Sequence, residues 1–238
     1  MELVNKKENQ ITFKTEISES LANSIRRYVS HILTLAVDEI EISKNDSPLY
    51  DETIAHRIGL IPLKTNKTIN GKIEINFDLD SQKEGFVYSG EMVSSEKNAE
   101  VVYDKMPITI LPKGHELKLK ATAKAGIGRE HSKFSPGMIF YREIFNVKLN
   151  GNCPLELIDI CPKKVFEEKN NKVVVKDSQK CDFCEECLIK FNDKIKIEPT
   201  KEVLITVESF GQIPPKEIFK KSIENLKKDL SDISKKIK

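Results

Sequence analysis

Alternating apolar and polar side chains predict the first strand of the chain, at residues 11–17. The segment ITFKTEI has the period-two pattern of a strand with one buried face. A second strand is predicted at VDEIEIS, where the alternation returns before turn-forming residues at 45–48. Between these two strands the apolar residues follow a longer period.

That longer period predicts a helix over residues 20–33. Its apolar residues recur at spacings of three and four, which places them on one helical face. They are Leu21, Ile25, Val29, Ile32 and Leu33. A shorter helix is predicted over 51–58, where Gly59 and then Pro62 end it.

Strands and loops are predicted from about 66 to 125, followed by a distinct unit over 138–198. The first stretch alternates in KIEINFDLD, FVYSGEMV and HELKLKATAKA, with Pro and Gly between them. The unit then reads as IFYREIFNVKL (strand), PLELIDI (helix), VFEE and KVVVK (strands), ECLIKF (helix) and IKIEP (strand). This β-α-β-β-α-β order is the split arrangement of ferredoxin-like modules, and the whole pattern predicts an α+β fold.

A strand and a long helix are predicted at the C-terminal end. EVLITVESFG is the strand, and Pro214 and Pro215 stand where proline is tolerated at a helix start. Beyond them an apolar seam repeats every three or four residues: Phe219, Ile223, Leu226, Leu230, Ile233 and Ile237. A narrow seam of this kind packs either on its own domain or on a partner helix, and we favour a partner.

The charge balance argues against an autonomous nucleic-acid-binding protein. The chain has 39 basic and 37 acidic residues, so its net charge is only +2. Proteins that bind DNA alone usually show a clear basic excess, and any role near DNA would therefore come through partners. The N-terminus has no apolar signal segment and no stretch is long enough to span a membrane, so we expect a cytoplasmic protein.

Four of the five cysteines match the ligand rule of one iron–sulfur cluster. In bacterial-type ferredoxins a cluster takes three cysteines from a C-x2-C-x2-C run and a fourth, before proline, from another run. Here the run is Cys181, Cys184 and Cys187, and Cys161 precedes Pro162. These four cysteines are the predicted ligands, and 4Fe-4S is the favoured cluster.

The ligands of a second cluster are missing from the sequence. The positions where they would stand hold Gly151, Pro154, Leu157 and Phe191. A single cluster is therefore predicted. Zinc bound by four thiolates and a 3Fe-4S cluster remain alternatives, although seven residues between Cys153 and Cys161 are too many for a zinc knuckle. Cys153 is read as a small buried apolar residue that could also replace a ligand.

No catalytic constellation is found in the sequence. The four histidines are scattered, and no nucleophile motif includes them. GIGR at 126–129 lacks the ending of a phosphate loop, so a turn is predicted there. Asp38, Glu39 and Glu41 alternate across a strand and would not converge on one magnesium ion.

Four segments of the chain are NSIRRYVSHILTLAVDEIEI, which starts at Asn23, DETIAHRIGLIPL, AGIGREHSKFSP and VESFGQIPPKEIF. Together they resemble the assembly subunits of RNA polymerase, a family that includes bacterial α, its archaeal counterpart and their eukaryotic relatives. The first segment is similar to a stretch shared by all branches, and the second resembles the signature of the archaeal and eukaryotic members. The third resembles a family loop, with Ser132 and Phe134 where Ala and Trp are frequent, and the fourth resembles the entry into the last helix.

The resemblance implies a non-catalytic subunit of an archaeal DNA-directed RNA polymerase, which is a nucleotidyltransferase complex. The implied fold is an α-like dimerisation domain (1–43 and 199–238) interrupted by an insert domain (44–198). The ferredoxin-like iron–sulfur module at 138–198 would lie inside the insert, and its presence selects the archaeal branch because bacterial α lacks it.

The resemblance also implies the partners. Small subunit L would form a heterodimer with this chain, which would then seed assembly of the large catalytic subunits together with other small assembly subunits. DNA would be reached only through the complex, and no membrane is involved. The implied interface with subunit L consists of Leu21, Ile25, Val29, Ile32, Phe219, Ile223, Leu226 and Leu230.

Two other functions remain open from the residues alone. A one-cluster ferredoxin-like electron carrier or redox-enzyme subunit would explain the cysteines but leave most of the chain without a role. A zinc-stabilised scaffold unrelated to transcription would use the same four thiolates.

Overall fold

A computed structural model describes residues 1–65, 72–97 and 99–237, and the predicted strands and loops at 66–71 and 98 lie outside them. The fold is a strand-rich α+β mixture, as predicted. The strands are β1 (Glu2–Lys6), β2 (Gln10–Glu16), β3 (Leu33–Asn45), β4 (Leu63–Thr65), β5 (Glu74–Ser81), β6 (Gly85–Tyr88), β7 (Val93–Ser94), β8 (Ala99–Val101), β9 (Pro107–Leu111), β10 (Leu117–Ile127), β11 (Gly137–Leu149), β12 (Phe166–Lys169), β13 (Lys172–Val175) and β14 (Ile195–Ser209). The helices are α1 (Glu19–Arg27), α2 (Asp51–Gly59), α3 (Glu156–Ile160), α4 (Glu186–Phe191) and α5 (Pro215–Ile237).

The described chain divides into two compact units. The cysteine unit comprises 1–6, 11–23 and 140–206, and the central unit comprises 7–10, 24–139 and 207–238. A sheet with the order β1-β2-β14-β11 lies largely in the cysteine unit, where β12 and β13 form a separate antiparallel hairpin. The predicted β-α-β-β-α-β order of 138–198 is confirmed, as β11-α3-β12-β13-α4-β14.

The central unit is built on a sheet with the order β3-β10-β5-β7. β10 is an inner strand that pairs antiparallel with both β3 and β5. Its alternation places Leu117, Leu119 and Ala121 in the core, whereas the lysines between them are exposed. The helix predicted over 51–58 is confirmed as α2, and it buries Ile54 and Ile58 in the core of the central unit.

The helix predicted over 20–33 is wrong at its C-terminal half. α1 ends at Arg27, a 3-10 turn follows at Tyr28–His31, and β3 begins at Leu33. A short apolar run such as ILTLAV fits a buried helix or a buried strand equally well. Pairing decides the outcome here, because β3 is matched with β10 from Leu33 to Asn45 and 34–37 are fully buried.

Two further strand predictions need correction. FVYSGEMV is not one strand, because a 3-10 turn at Ser89–Glu91 separates β6 from β7. The Glu91 carboxylate accepts the Tyr88 backbone N–H at 2.9 Å and so closes the turn. IKIEP and EVLITVES, predicted as separate strands, form the single strand β14, because the fixed φ of proline is compatible with extended backbone.

The predicted C-terminal helix is confirmed as α5, with 23 residues. It starts at Pro215, and the Pro214 carbonyl accepts the N–H groups of Glu217 and Ile218. Its N-terminal half buries Ile218, Ser222 and Leu226 within the central unit. None of the helices in the described part of the chain has the length and apolarity needed to span a bilayer.

Candidate functional site: a four-cysteine pocket

The structure brings the four predicted ligand cysteines together around one pocket of the cysteine unit. Three of the side chains are buried and Cys184 is exposed. Four apolar and three charged side chains form the remaining lining. The lining residues are Val147, Cys161, Lys163, Val165, Phe166, Cys181, Asp182, Cys184, Glu185, Cys187 and Ile197.

Short elements carry the four cysteines to the pocket. Cys161 follows the last residue of α3, and Cys181 follows a 3-10 turn at Ser178–Lys180. Cys187 is the second residue of α4. Cys184 lies in the connecting loop, so the run Cys181–Cys187, here called the cysteine loop, wraps around one side of the pocket.

The backbone of the cysteine loop is bent at two non-glycine residues. Phe183 has φ 57° and Glu185 has φ 63°, both in the left-handed region. Each such residue costs about 1–3 kcal/mol and persists where the surroundings fix it, frequently at ligand clamps. Left-handed residues alternating with ordinary ones turn successive N–H groups to one side, and such concave nests bind anions and iron–sulfur clusters.

Backbone N–H groups already approach two of the sulfurs. The Val165 N–H donates to Cys161 Sγ at 3.5 Å. The Phe183 N–H donates to the Cys181 sulfur. Donors placed at sulfur stabilise the thiolate form, which is the form that binds metals.

Burial of the thiols opposes this stabilisation of the thiolate form. Burial, together with the neighbouring cysteines, raises the pKa of the Cys187 thiol to about 11. Burial also raises the pKa of Cys181, and the Phe183 N–H offsets part of this rise. These thiols are therefore protonated at neutral pH without metal, and ligation must release their protons.

The donor set of the pocket consists of four cysteine thiols. Four thiolates can hold an iron–sulfur cluster, in which each iron takes one cysteine sulfur. Four thiolates can also hold one tetrahedral Zn²⁺ at about 2.3 Å. The residues present therefore fit a thiolate-bound cluster, and zinc remains the alternative.

Two of the four positions that lack second-cluster ligands belong to an apolar core. Leu157 is 0% exposed, and Phe191 packs against the same core. Cys153 belongs to this core as well, does not line the pocket, and donates its thiol to the Lys194 carbonyl at 3.7 Å. Its surroundings are those of a small buried side chain.

The predicted interface residues fall into three groups by exposure. Ile25, Val29 and Ile32 are at most 4% exposed within this chain, and Leu226 is 9% exposed. Phe219 and Ile223 are half-buried. The exposed ones are Leu21 (42%) and Leu230 (57%), followed along α5 by Ile233 (54%) and Ile237 (80%).

Two of the three acidic residues of β3 are paired with lysines. The Lys133 ammonium donates to the Asp38 carboxylate at 2.6 Å, and Lys124 pairs with Glu39. The hydrogen bond from Lys133 holds the pKa of the Asp38 carboxyl below its usual value. GIGR is the end of β10 and a turn, as predicted.

Sequence reasoning missed two residues of β11 that contact the cysteine loop. The Arg142 guanidinium donates to the Cys181 carbonyl, and the Phe145 ring stacks on Phe183 with 4.9 Å between centroids. The signal available in the sequence was an arginine inside the apolar segment IFYREIF, which precedes the cysteines along the chain.

The comparisons with known proteins agree with the predicted family. Residues 40–145 match the model of the RNA polymerase Rpb3/RpoA insert domain. DNA-directed RNA polymerase subunit Rpo3 of Archaeoglobus fulgidus is 34% identical, covering 99% of this chain and 96% of the relative. The chain belongs to the Rpo3/Rpb3 family of RNA polymerase subunits.

Other members of the family are comparably similar. Subunit Rpo3 of Pyrococcus horikoshii is 33% identical over 92% of this chain and 90% of its own length. DNA-directed RNA polymerase II subunit rpb3 of Dictyostelium discoideum is 30% identical over 98% of this chain and 93% of its own length. Full-length likeness to polymerase subunits does not favour the electron-carrier alternative. The insert-domain match ends before Cys153, so it does not bear on the cysteine pocket.

Proposed function

We propose that this chain is a non-catalytic assembly subunit of DNA-directed RNA polymerase. Membership of the Rpo3/Rpb3 family along 99% of the chain carries this proposal. The lysine-paired carboxylates of β3 agree with a scaffold whose chemistry is supplied by other subunits. In this scheme the dimerisation domain comprises 1–43 and 199–238, the insert domain comprises 44–198, and the large catalytic subunits assemble on the heterodimer with the other small subunits.

The C-terminal half of α5 supports a partner helix, for which we propose small subunit L. The apolar seam of α5 is continuous in sequence, but only its N-terminal half is buried within this chain. Leu230, Ile233 and Ile237 are each more than half exposed. An apolar stripe of this kind on a long helix is stabilised when a second helix packs on it.

Co-expression with the small subunit tests this interface. We expect a one-to-one complex with the unmodified chain and none with a Leu230→Asp, Ile233→Asp double variant. Lys228→Asp, a charge change at an exposed position of the same helix, should leave the complex intact. Both variants should unfold at the temperature of the unmodified chain, since these side chains are exposed. A complex that still forms with the double variant would rule out this seam as the interface with the small subunit.

We further propose that Cys161, Cys181, Cys184 and Cys187 hold one 4Fe-4S cluster. The pocket, the left-handed bends of the cysteine loop and the ligand spacing support this assignment. A bound cluster would add folding energy by joining the short elements that carry the four cysteines, and we assign it this structural role.

Iron and acid-labile sulfide analysis of anaerobically purified protein tests the cluster. About four irons and four sulfides per chain are expected. Cys184→Ser should lower both, whereas Cys153→Ser, outside the pocket, should retain them. Stoichiometric zinc without sulfide would contradict the assignment.

A further inference from the structure

Arg142 connects β11 to the chain that enters the cysteine loop. Its guanidinium donates to the Cys181 carbonyl oxygen at 3.1 Å and also to the Gln179 carbonyl oxygen. These acceptors lie 39 and 37 residues further along the chain. The contact is therefore tertiary and fixes a loop onto a strand.

The two carbonyls belong to a tight turn whose N–H groups are already used. The Asp177 carboxylate accepts the Gln179 N–H at 3.0 Å, and the Ser178 carbonyl accepts the Cys181 N–H at 3.1 Å. The carbonyl oxygens of Gln179 and Cys181 are left for a donor from outside the turn. A planar guanidinium presents several N–H groups in a fixed fork and can bind both at once.

The same strand holds the loop at a second point. The Phe145 ring stacks on Phe183 with an interplanar angle of 13°, and Val147 lines the pocket. Phe183 is one of the two left-handed residues of the loop, so its conformation needs support from outside. β11 thus provides a rigid frame on which the first half of the cysteine loop is fixed.

We propose that Arg142 is a positioning residue for the iron–sulfur cluster, acting through the backbone of Cys181. It fixes the first cysteine of the loop in place before the cluster binds, and it sets a permanent positive charge beside that cysteine. The inference rests on the proposed cluster. A positive charge beside the pocket favours the reduced form of a cluster, which carries one more negative charge.

Two substitutions separate the role of the planar guanidinium donors of Arg142 from the role of its positive charge. Arg142→Met removes both, so iron should pass to a chelator on the order of tenfold faster, as expected for loss of a charge-assisted hydrogen bond. The midpoint potential of the cluster in Arg142→Met should shift to more negative values. Arg142→Lys keeps the charge but not the planar fork, so iron loss should accelerate while the potential stays close to that of the unmodified chain.

The experiment uses full-length protein, reconstituted anaerobically with ferrous iron and sulfide. Lys148→Met is the matched control, because it removes a positive charge from the same strand. The partner of Lys148 is the surface carboxylate of Glu198 at 3.2 Å. This substitution should change neither the rate of iron loss nor the midpoint potential of the cluster. Circular dichroism before reconstitution checks folding, and Arg142→Lys decides the outcome if Arg142→Met does not fold.

The possible failures are distinguishable. If the unmodified chain takes up no iron and sulfide, the cluster assignment fails and this inference fails with it. If the unmodified chain loads but both Arg142 variants release iron at its rate, only the role of Arg142 is overturned. Faster release from both variants with an unchanged potential in Arg142→Met would likewise overturn the role of the charge.

Discussion

The Tyr28 hydroxyl donates a hydrogen bond of 2.9 Å to the Asp229 carboxylate and joins residues 201 positions apart. It fixes α5 to the 3-10 turn that follows α1, where the Asn225 amide also donates to the His31 carbonyl at 3.0 Å. The carboxylate raises the pKa of Tyr28, so the phenol remains a donor at neutral pH. These contacts hold α5 to the turn at Asn225 and Asp229.

Tyr28→Phe should lower the free energy of unfolding by about 1–2 kcal/mol, since it removes a half-buried hydrogen bond to a charged group. Urea unfolding measures the change. Tyr50→Phe is the control, because Tyr50 is 81% exposed and its substitution should change stability by less than about 0.5 kcal/mol. Equal effects of the two substitutions would show that the Tyr28–Asp229 bond contributes nothing.

Gly137 is required by close backbone packing and not by an unusual φ. A Cβ at this position would lie 2.1 Å from the Glu208 carbonyl oxygen, and the backbone would have to move. Gly137→Ala should therefore destabilise the chain by about 1–3 kcal/mol. Gly59→Ala, where the nearest atom is 3.8 Å away, should be neutral or slightly stabilising in thermal unfolding. A neutral Gly137→Ala would mean that β11 and β14 are further apart than described.

Substitution of Leu157 tests whether a position expected to hold a second-cluster ligand lies in an apolar core. It is 0% exposed, so Leu157→Ala should lower the free energy of unfolding by about 2–5 kcal/mol. Leu155→Ala, two residues away and 50% exposed, should have a much smaller effect. Chemical denaturation of the metal-free protein measures both, and similar losses would argue against a dry core at this position.

Asp38 gives a stability contribution that depends on pH. Lys133 holds the pKa of this carboxyl below its ordinary value of 3.8, with smaller help from Lys124 and His131. The folded state therefore binds the proton more weakly than the unfolded state, so the contribution is present above pH 3.8 and is lost as pH falls through the lower, folded value.

Asp38→Asn should cost up to about 1 kcal/mol at neutral pH, because the carboxylate is partly exposed and solvent screens the pair. The difference from the unmodified chain should shrink in acid. Unfolding titrations across this pH range test it, with Asp78→Asn at an exposed carboxylate of β5 as control. A difference that stays constant with pH would contradict the assigned ion pair.

The sequence predicted elements where one local pattern dominated, as in β10, α2 and α5. It failed where pairing at long range decided between helix and strand. ILTLAV has no marker that excludes a helix, and only its pairing with β10 makes it a strand. The turn at Ser89–Glu91 depends on one side-chain hydrogen bond from Glu91, which no periodicity reports.

The convergence of the four cysteines on one pocket could be predicted, because the ligand spacing of an iron–sulfur cluster requires it. Arg142 and Phe145 could not, because their contacts arise only when β11 lies beside the cysteine loop. The sequence also predicted one continuous apolar seam on α5. The structure divides it into a buried half ending at Leu226 and an exposed half from Leu230, which moves the informative substitutions to the exposed half.

Affinity capture of the tagged full-length chain from native extract, under anaerobic conditions, tests the assembly role most directly. Mass spectrometry should identify the small subunit and the large catalytic subunits in stoichiometric amounts. The Leu230→Asp, Ile233→Asp variant should lose all of them together, because in the proposed scheme the heterodimer precedes the larger assembly. Recovery of the chain alone, or with a redox enzyme in place of the polymerase subunits, would contradict the account.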